Sequence, residues 1–203
     1  PFYHTLDKTY LTYRSFVQHM RGEQMKKVQD YFLYFVFYSI IGWIYEVFLE
    51  VVVYRWGFSN RGALFGPYCI VYGFGAVILL LTLSGLMKKK IRLGSVNITP
   101  LLVFVGIIVI TTVIELIASY IMEFTLGGWQ WDYTRFAFNF QGRIALNPSV
   151  RFGIGGMVIL YLLHPLVRRF TERTSERVQR VTALVCLAVL AADCVHFVLK
   201  NWL

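Results

Sequence analysis

Apolar positions gather into five runs long enough to cross a bilayer: about Tyr31–Tyr54, Gly62–Met87, Thr99–Phe124, Val150–Val167 and Val181–Leu203. A spanning helix needs about 20 mostly apolar residues. The fourth run is the shortest and is flanked by arginines. The pattern predicts an all-α, polytopic membrane protein with about five transmembrane helices. Ahead of the first run, Phe2, Leu6, Tyr10, Tyr13, Val17 and Met20 recur at helical spacing, with Lys8, Arg14 and Arg21 elsewhere. This predicts an interfacial amphipathic helix over residues 1–24, or else an upstream extension, since Met25-Lys26-Lys27 reads as a natural start. Residues 25–203 read as a single transmembrane domain, and no cleavable signal peptide is evident.

Charge turns the runs into a topology. Lys26 and Lys27 precede the first run; Lys88, Lys89, Lys90 and Arg92 follow the second; Arg168, Arg169, Arg173, Arg177 and Arg180 separate the fourth and fifth. Basic loops stay in the cytoplasm. The expected N-terminus is therefore inside and the C-terminus outside. Composition agrees, with 57% hydrophobic and 15% charged residues and a mean hydropathy of +0.58. A net charge of +9 would suggest nucleic acid in a soluble chain. Here the blocks flank apolar spans, so membrane lipids are the expected partner and nucleic acid is not. Cys69, Cys186 and Cys194 form no CxxC pair and read as buried free thiols.

Acids interrupt these runs. Glu46, Glu50, Glu115 and Asp193 lie in segments where a charge costs roughly 2.5–3.5 kcal/mol on insertion scales. With the N-terminus inside, Glu46, Glu50, Glu115 and Glu123 fall in the outer half of the bilayer. Asn60, Arg61, Arg143, Asn147, Ser149 and Arg151 lie at the same end. Glu46 and Glu50, four apart, share a helix face. Asp193 and His196 fall near the middle of the last span. Two readings follow. The acids bind a solute in an outward-opening polar cavity, or they pair with Arg61, Arg143 or Arg151 and only lock helices together. Glu46, Glu50, Asn60, Arg61, Glu115, Arg143 and Arg151 are the candidate binding residues.

Small residues support close packing. Gly62 and Gly66 have the GxxxG spacing, Gly73 continues their face, and Pro67 can break the second helix near its outer end. Gly153, Gly155 and Gly156 suggest the same for the fourth span. The longest connection, about Thr125–Ser149, interleaves aromatic and polar residues around Gly142-Arg143, as a lid or an interfacial loop would. GxGxxG and GxxxxGK[ST] are absent, no metal-ligand spacing stands out, and no cofactor is expected.

Three blocks carry a resemblance. Phe37-Tyr38-Ser39-Ile40-Ile41-Gly42-Trp43-Ile44-Tyr45-Glu46, then Asn60-Arg61-Gly62-Ala63-Leu64-Phe65-Gly66-Pro67-Tyr68-Cys69 with Tyr72-Gly73-Phe74-Gly75, then Asn139 to Ser149 resemble the CmpB-like ABC-transporter permease family of bacteria. They cover about residues 31–156. Ile70 stands where that family is expected to have proline, and Phe152 where tryptophan is usual. The resemblance implies a multi-pass protein of the bacterial cytoplasmic membrane, acting as a small permease or a substrate-binding membrane subunit. With no ATPase motif in the chain, it implies a separate ATPase subunit, and an oligomer is compatible with it. Two rivals remain: a membrane-embedded enzyme acting on a lipid or lipid-linked substrate at the outer leaflet, and a structural or assembly subunit. No nucleophile–base motif favours the enzyme.

Overall fold

The computed structural model describes residues 2–62, 64–129 and 131–202, with side chains described for 18–62, 64–125, 127–129 and 131–200. Five helical rods are long and apolar enough to cross a membrane: Gln18–Val53, Ile70–Met87, Thr99–Thr125, Leu146–Arg173 and Glu176–Lys200. The elements are α1 (Phe2–Phe48), α2 (Ile70–Met87), α3 (Thr99–Leu126), α4 (Leu146–Met157), α5 (His164–Arg173) and α6 (Glu176–Trp202). A wide π-helical turn, Leu49–Val53, ends α1, and a second, Val158–Leu163, joins α4 to α5. The only strands among the described residues are two hairpins of two-residue strands: β1 (Arg92–Leu93) with β2 (Val96–Asn97), and β3 (Asn139–Phe140) with β4 (Ile144–Ala145).

Residues 2–24 continue the helix of the first span, α1 running unbroken for 47 residues. At 1.5 Å per residue it is about 70 Å long, more than twice the hydrocarbon thickness. The second span begins at Ile70, not Gly62. Gly62 has φ +103, a conformation closed to helix, and Pro67 sits in a tight turn closed by Tyr68 N donating to Gly66 O at 2.8 Å. Gly62 and Gly66 are therefore loop glycines and not a helix-packing step.

The core lies between α1, α2, α3 and the α4–α5 rod. Tyr38, Ala76, Leu79, Leu80, Val103, Ile107 and Leu160 are buried there. Glycines set the spacing. A Cβ at Gly73 would overlap Ser39 Oγ and stand 2.5 Å from Phe35 O on α1. One at Gly153 would sit 2.8 Å from Ile108 Cγ1 and Phe104 Cε2 of α3, and one at Gly156 2.5 Å from Ile107 Cγ2. Gly155 meets nothing within 4 Å and has no such role. Helix α6 stands apart, with no buried residue in its apolar window. Polar contacts hold both of its ends. Lys26 Nζ donates to Glu176 Oε1 at 2.8 Å, and Asp193 reaches the 54–69 loop. The first marks a basic end of the bundle and the second a loop end.

Candidate functional site at the loop end

Each acid meets a different kind of partner. Glu50, 6% exposed, sits in the π turn of α1 and faces the loop that follows. It accepts from Ser59 Oγ at 2.7 Å and Ser59 N at 3.2 Å, and from Arg61 Nη2 at 2.7 Å and Nε at 3.0 Å. The fork of Arg61 thus meets both oxygens, the strongest arrangement for this pair. Asn60 organises the same loop: it accepts from Trp43 Nε1 at 2.8 Å and donates to Phe65 O at 2.9 Å.

Asp193 of α6 clamps the next turn. It accepts from Gly66 N at 2.9 Å, from Phe65 N at 3.1 Å and from the Tyr68 hydroxyl. Burial, and then this bond, raise the Tyr68 pKa above its ordinary value. The Phe65 ring packs edge-on against His196 at 4.6 Å and lies 4.8 Å from Lys200 Nζ. Asp193 is seven residues before Lys200, about 10 Å along the helix. The loop therefore folds back to reach it.

Arg143 is the buried centre of the long loop, at 5% exposure. Gln141 and Gly142 both have positive φ (54 and 67), the I′ geometry of a tight hairpin. This turn aims Arg143 at α3, where its guanidinium lies between the rings of Trp129 (3.9 Å) and Tyr120 (4.2 Å). It donates to Glu123 Oε2 at 2.5 Å, Ser119 Oγ at 3.3 Å and Gln141 Oε1 at 3.3 Å. Arg143 is enclosed by these partners.

Glu46 and Glu115 differ. Glu46 accepts from the Tyr72 hydroxyl in the first turns of α2. Glu115 accepts from the Tyr133 hydroxyl at 2.8 Å, and its other oxygen, Oε2, is buried without a partner. Neither has a basic group within 4.0 Å among the described residues. Tyr133 lies near both: burial first, then the Glu115 bond and charge and the Glu46 charge, raise its pKa. Arg151 is exposed on α4, close enough to Tyr45 for its charge to act there, and makes no hydrogen bond or ion pair among the described residues. Cys69 adjoins the same group, its thiol pushed up to about 11 by burial and the Glu46 charge.

The predicted residues thus divide. Glu50, Asn60 and Arg61 form one loop-organising cluster, Arg143 another with Glu123, and Glu46 and Glu115 each stand on a tyrosine hydroxyl, Tyr72 and Tyr133 respectively. Sequence reasoning missed the tyrosine partners. Tyr68 and Tyr72, four apart beside Cys69, carried a readable signal; Tyr133, in the long loop, carried none.

A bundle of apolar spanning rods with acids at one end defines a multi-pass membrane protein. The chain belongs to the family described as Putative ABC-transporter type IV, whose model matches residues 33–198. No curated protein and no solved structure matches it.

Proposed function

We propose that the chain is the membrane-spanning subunit of a transporter powered by a separate nucleotide-binding subunit, and that Glu46 and Glu115 form its solute station. The family supports the first part, and a transmembrane segment without a nucleotide motif is compatible with a separate ATPase subunit. One observation carries the second: Glu46 and Glu115 have tyrosine hydroxyls but no cation, while Glu50 and Glu123 each hold an arginine. A carboxylate at membrane depth needs a proton or a cation, so the station suits a cationic or amine-bearing solute. Arg151 is placed to meet an anionic group on it. The basic end faces the cytoplasm under the positive-inside rule, and the station faces outward in the cytoplasmic membrane.

Two measurements test this. The tagged chain, extracted gently from its native membrane, should bring down an ATPase; recovery without one rejects the transporter reading. Methylguanidine, choline and spermidine, each compared with urea, should include at least one amine that raises the thermal stability of the purified chain. Saturating ligand at about 100 times Kd adds about 2.7 kcal/mol. Glu46→Gln and Glu115→Gln should each abolish that gain. No stabilisation by any of the three, or stabilisation unchanged in both variants, rejects the station.

A further inference from the structure

At the basic end, the hairpin of β1 and β2 joins α2 to α3. Residues 87–98 contain no Asp or Glu. Lys88, Lys89, Lys90 and Arg92 are all exposed there and make no ion pair among the described residues. By contrast, Lys26 holds Glu176 and Arg168 holds Glu172 at the same end. The base of the hairpin is fixed. Thr99, 2% exposed, donates from Oγ1 to Lys89 O at 2.9 Å and accepts on the same oxygen from Ile91 N at 2.9 Å. Ile98 N donates to Ile91 O at 2.9 Å, and Gly94, at φ +64, makes the turn. Leu93 and Val96 stand opposite each other in the ladder, so their side chains share one face. They are 73% and 63% exposed. The tip is therefore a held apolar pair beside four cations that no acid balances.

Length places this tip against the bilayer. Helix α2 has 18 residues, about 27 Å at 1.5 Å each, and the hydrocarbon core is about 30 Å thick. The helix therefore ends at the edge of the hydrocarbon, and the lysines after it start in the headgroup layer. Leu93 lies two residues beyond the Ile91–Ile98 base, about 7 Å along a strand. That is the depth of one headgroup layer, about 5–8 Å. Basic residues beside a bilayer draw anionic lipid, each favouring it by about fivefold. Apolar side chains at that depth find acyl carbon beneath the phosphates. We propose that the 88–98 hairpin is a membrane-anchoring surface for anionic lipid, with Lys88, Lys89, Lys90 and Arg92 on headgroup phosphates and Leu93 and Val96 set into the leaflet at the basic end. This surface is independent of the solute station at the other end.

The full chain, with Cys69, Cys186 and Cys194 changed to alanine, carries Val96→Cys labelled with a small fluorophore. It is placed in nanodiscs of phosphatidylcholine alone or with one third phosphatidylglycerol. Quenching by a lipid with a nitroxide near the top of its acyl chain is compared with quenching by aqueous acrylamide, which is uncharged. With phosphatidylglycerol the lipid nitroxide should quench the probe and acrylamide should not. In phosphatidylcholine alone the ratio of lipid to aqueous quenching should fall at least about fivefold, the contribution of a single basic residue. Changing Lys88, Lys89, Lys90 and Arg92 together to glutamine should erase the difference between the two lipids. Because those cations also orient the chain on insertion, Leu93→Asp serves as a second variant; it keeps all four and should move the probe into water in phosphatidylglycerol as well. A probe in water in both lipids, the result expected of a hairpin that docks on a soluble protein, would overturn the proposal. Equal shielding in both lipids would overturn the anionic headgroup as the partner, and so would a lipid preference unchanged in the inserted glutamine variant. A probe still shielded in Leu93→Asp would show that the apolar pair is not what enters the leaflet.

Discussion

Replacing Gly73 with alanine should push α1 and α2 apart. The added Cβ would stand 2.5 Å from Phe35 O and 2.8 Å from Phe35 Cδ2, and would overlap Ser39 Oγ. The serine hydroxyl can rotate away, although it would lose its 2.7 Å bond to Phe35 O. The backbone oxygen cannot. Carbon–oxygen contacts between helices settle near 3.3 Å or more, so the axes must separate locally by about 0.8 Å. That gap loosens the buried seam that continues through Ala76, Leu79, Leu80 and Leu83. Overpacking of this kind costs about 1–3 kcal/mol. For a chain of this length that is an apparent melting shift of about 2–12 °C.

The assay is thermal unfolding of the purified protein in one fixed detergent, read as loss of the monodisperse peak on size-exclusion chromatography. Gly75→Ala and Gly85→Ala provide the comparison, because a Cβ at either meets nothing within 4 Å. They should be neutral or slightly stabilising, as alanine is the better helix former. Ser39→Ala combined with Gly73→Ala separates the two obstacles and should stay destabilised, since the Phe35 carbonyl remains. A Gly73→Ala protein as stable as Gly75→Ala would refute the close-approach argument. Full recovery in the double variant would show that only the hydroxyl was in the way.

Three further outcomes are expected. Glu50→Gln and Arg61→Gln should each lower the apparent melting temperature, with the double variant losing much less than their sum; an additive cycle by thermal unfolding would remove the pair from the account. Arg143→Lys keeps the charge but not the flat group between Tyr120 and Trp129, so limited proteolysis should cut the 127–145 loop faster than in wild type, and an unchanged rate would deny the clamp. The Cys69 thiol stays neutral below about pH 11, so alkylation by a membrane-permeant maleimide should rise about tenfold per pH unit between pH 7 and 10; Glu46→Gln removes a charge that raises this pKa and should speed the reaction at fixed pH, while a slower reaction would place Glu46 elsewhere.

The spanning rods were legible because a continuous apolar run has one solution in lipid. Their ends were less so. Gly62 to Cys69 is as apolar as a helix terminus, and hydropathy does not register a φ of +103 at Gly62 or the turn around Pro67. The continuity of α1 through residues 24–31 was hidden for a related reason: a polar stretch ahead of an apolar one reads the same whether the helix bends or not. For the site, the acids stood out by their cost in the membrane. Their pairing did not, since it depends on how far each loop folds back. Three arginines were candidates for Glu50, and the I′ turn at Gln141–Gly142 turns Arg143 toward Glu123 instead. Asp193 lies three residues before His196 in the last span, yet its hydrogen-bond donors are two backbone amides and Tyr68 from a loop well over a hundred residues earlier.

This loop dependence also explains why Glu50, Glu115, Glu123 and Asp193 gather at the loop end. Glu50, Asp193, Glu115 and Glu123 all find their donors on the two long loops: Ser59 and Arg61, the 65–68 turn, Tyr133, and Arg143 respectively. An acid is tolerated in these spans only as deep as a loop can follow it. Glu46 departs from that rule, with its donor Tyr72 on a helix. A hydrogen bond to a charged group contributes about 1.5–3 kcal/mol, against roughly 2.5–3.5 kcal/mol for a charge at membrane depth. Four donor atoms on Glu50 exceed that cost comfortably; one tyrosine hydroxyl each leaves Glu46 and Glu115 near balance. Carboxylates near balance respond to what approaches, and an ammonium group carries enough to tip them. The same sum that makes Glu50 a fixture of the fold therefore makes Glu46 and Glu115 the groups to expect at a solute station.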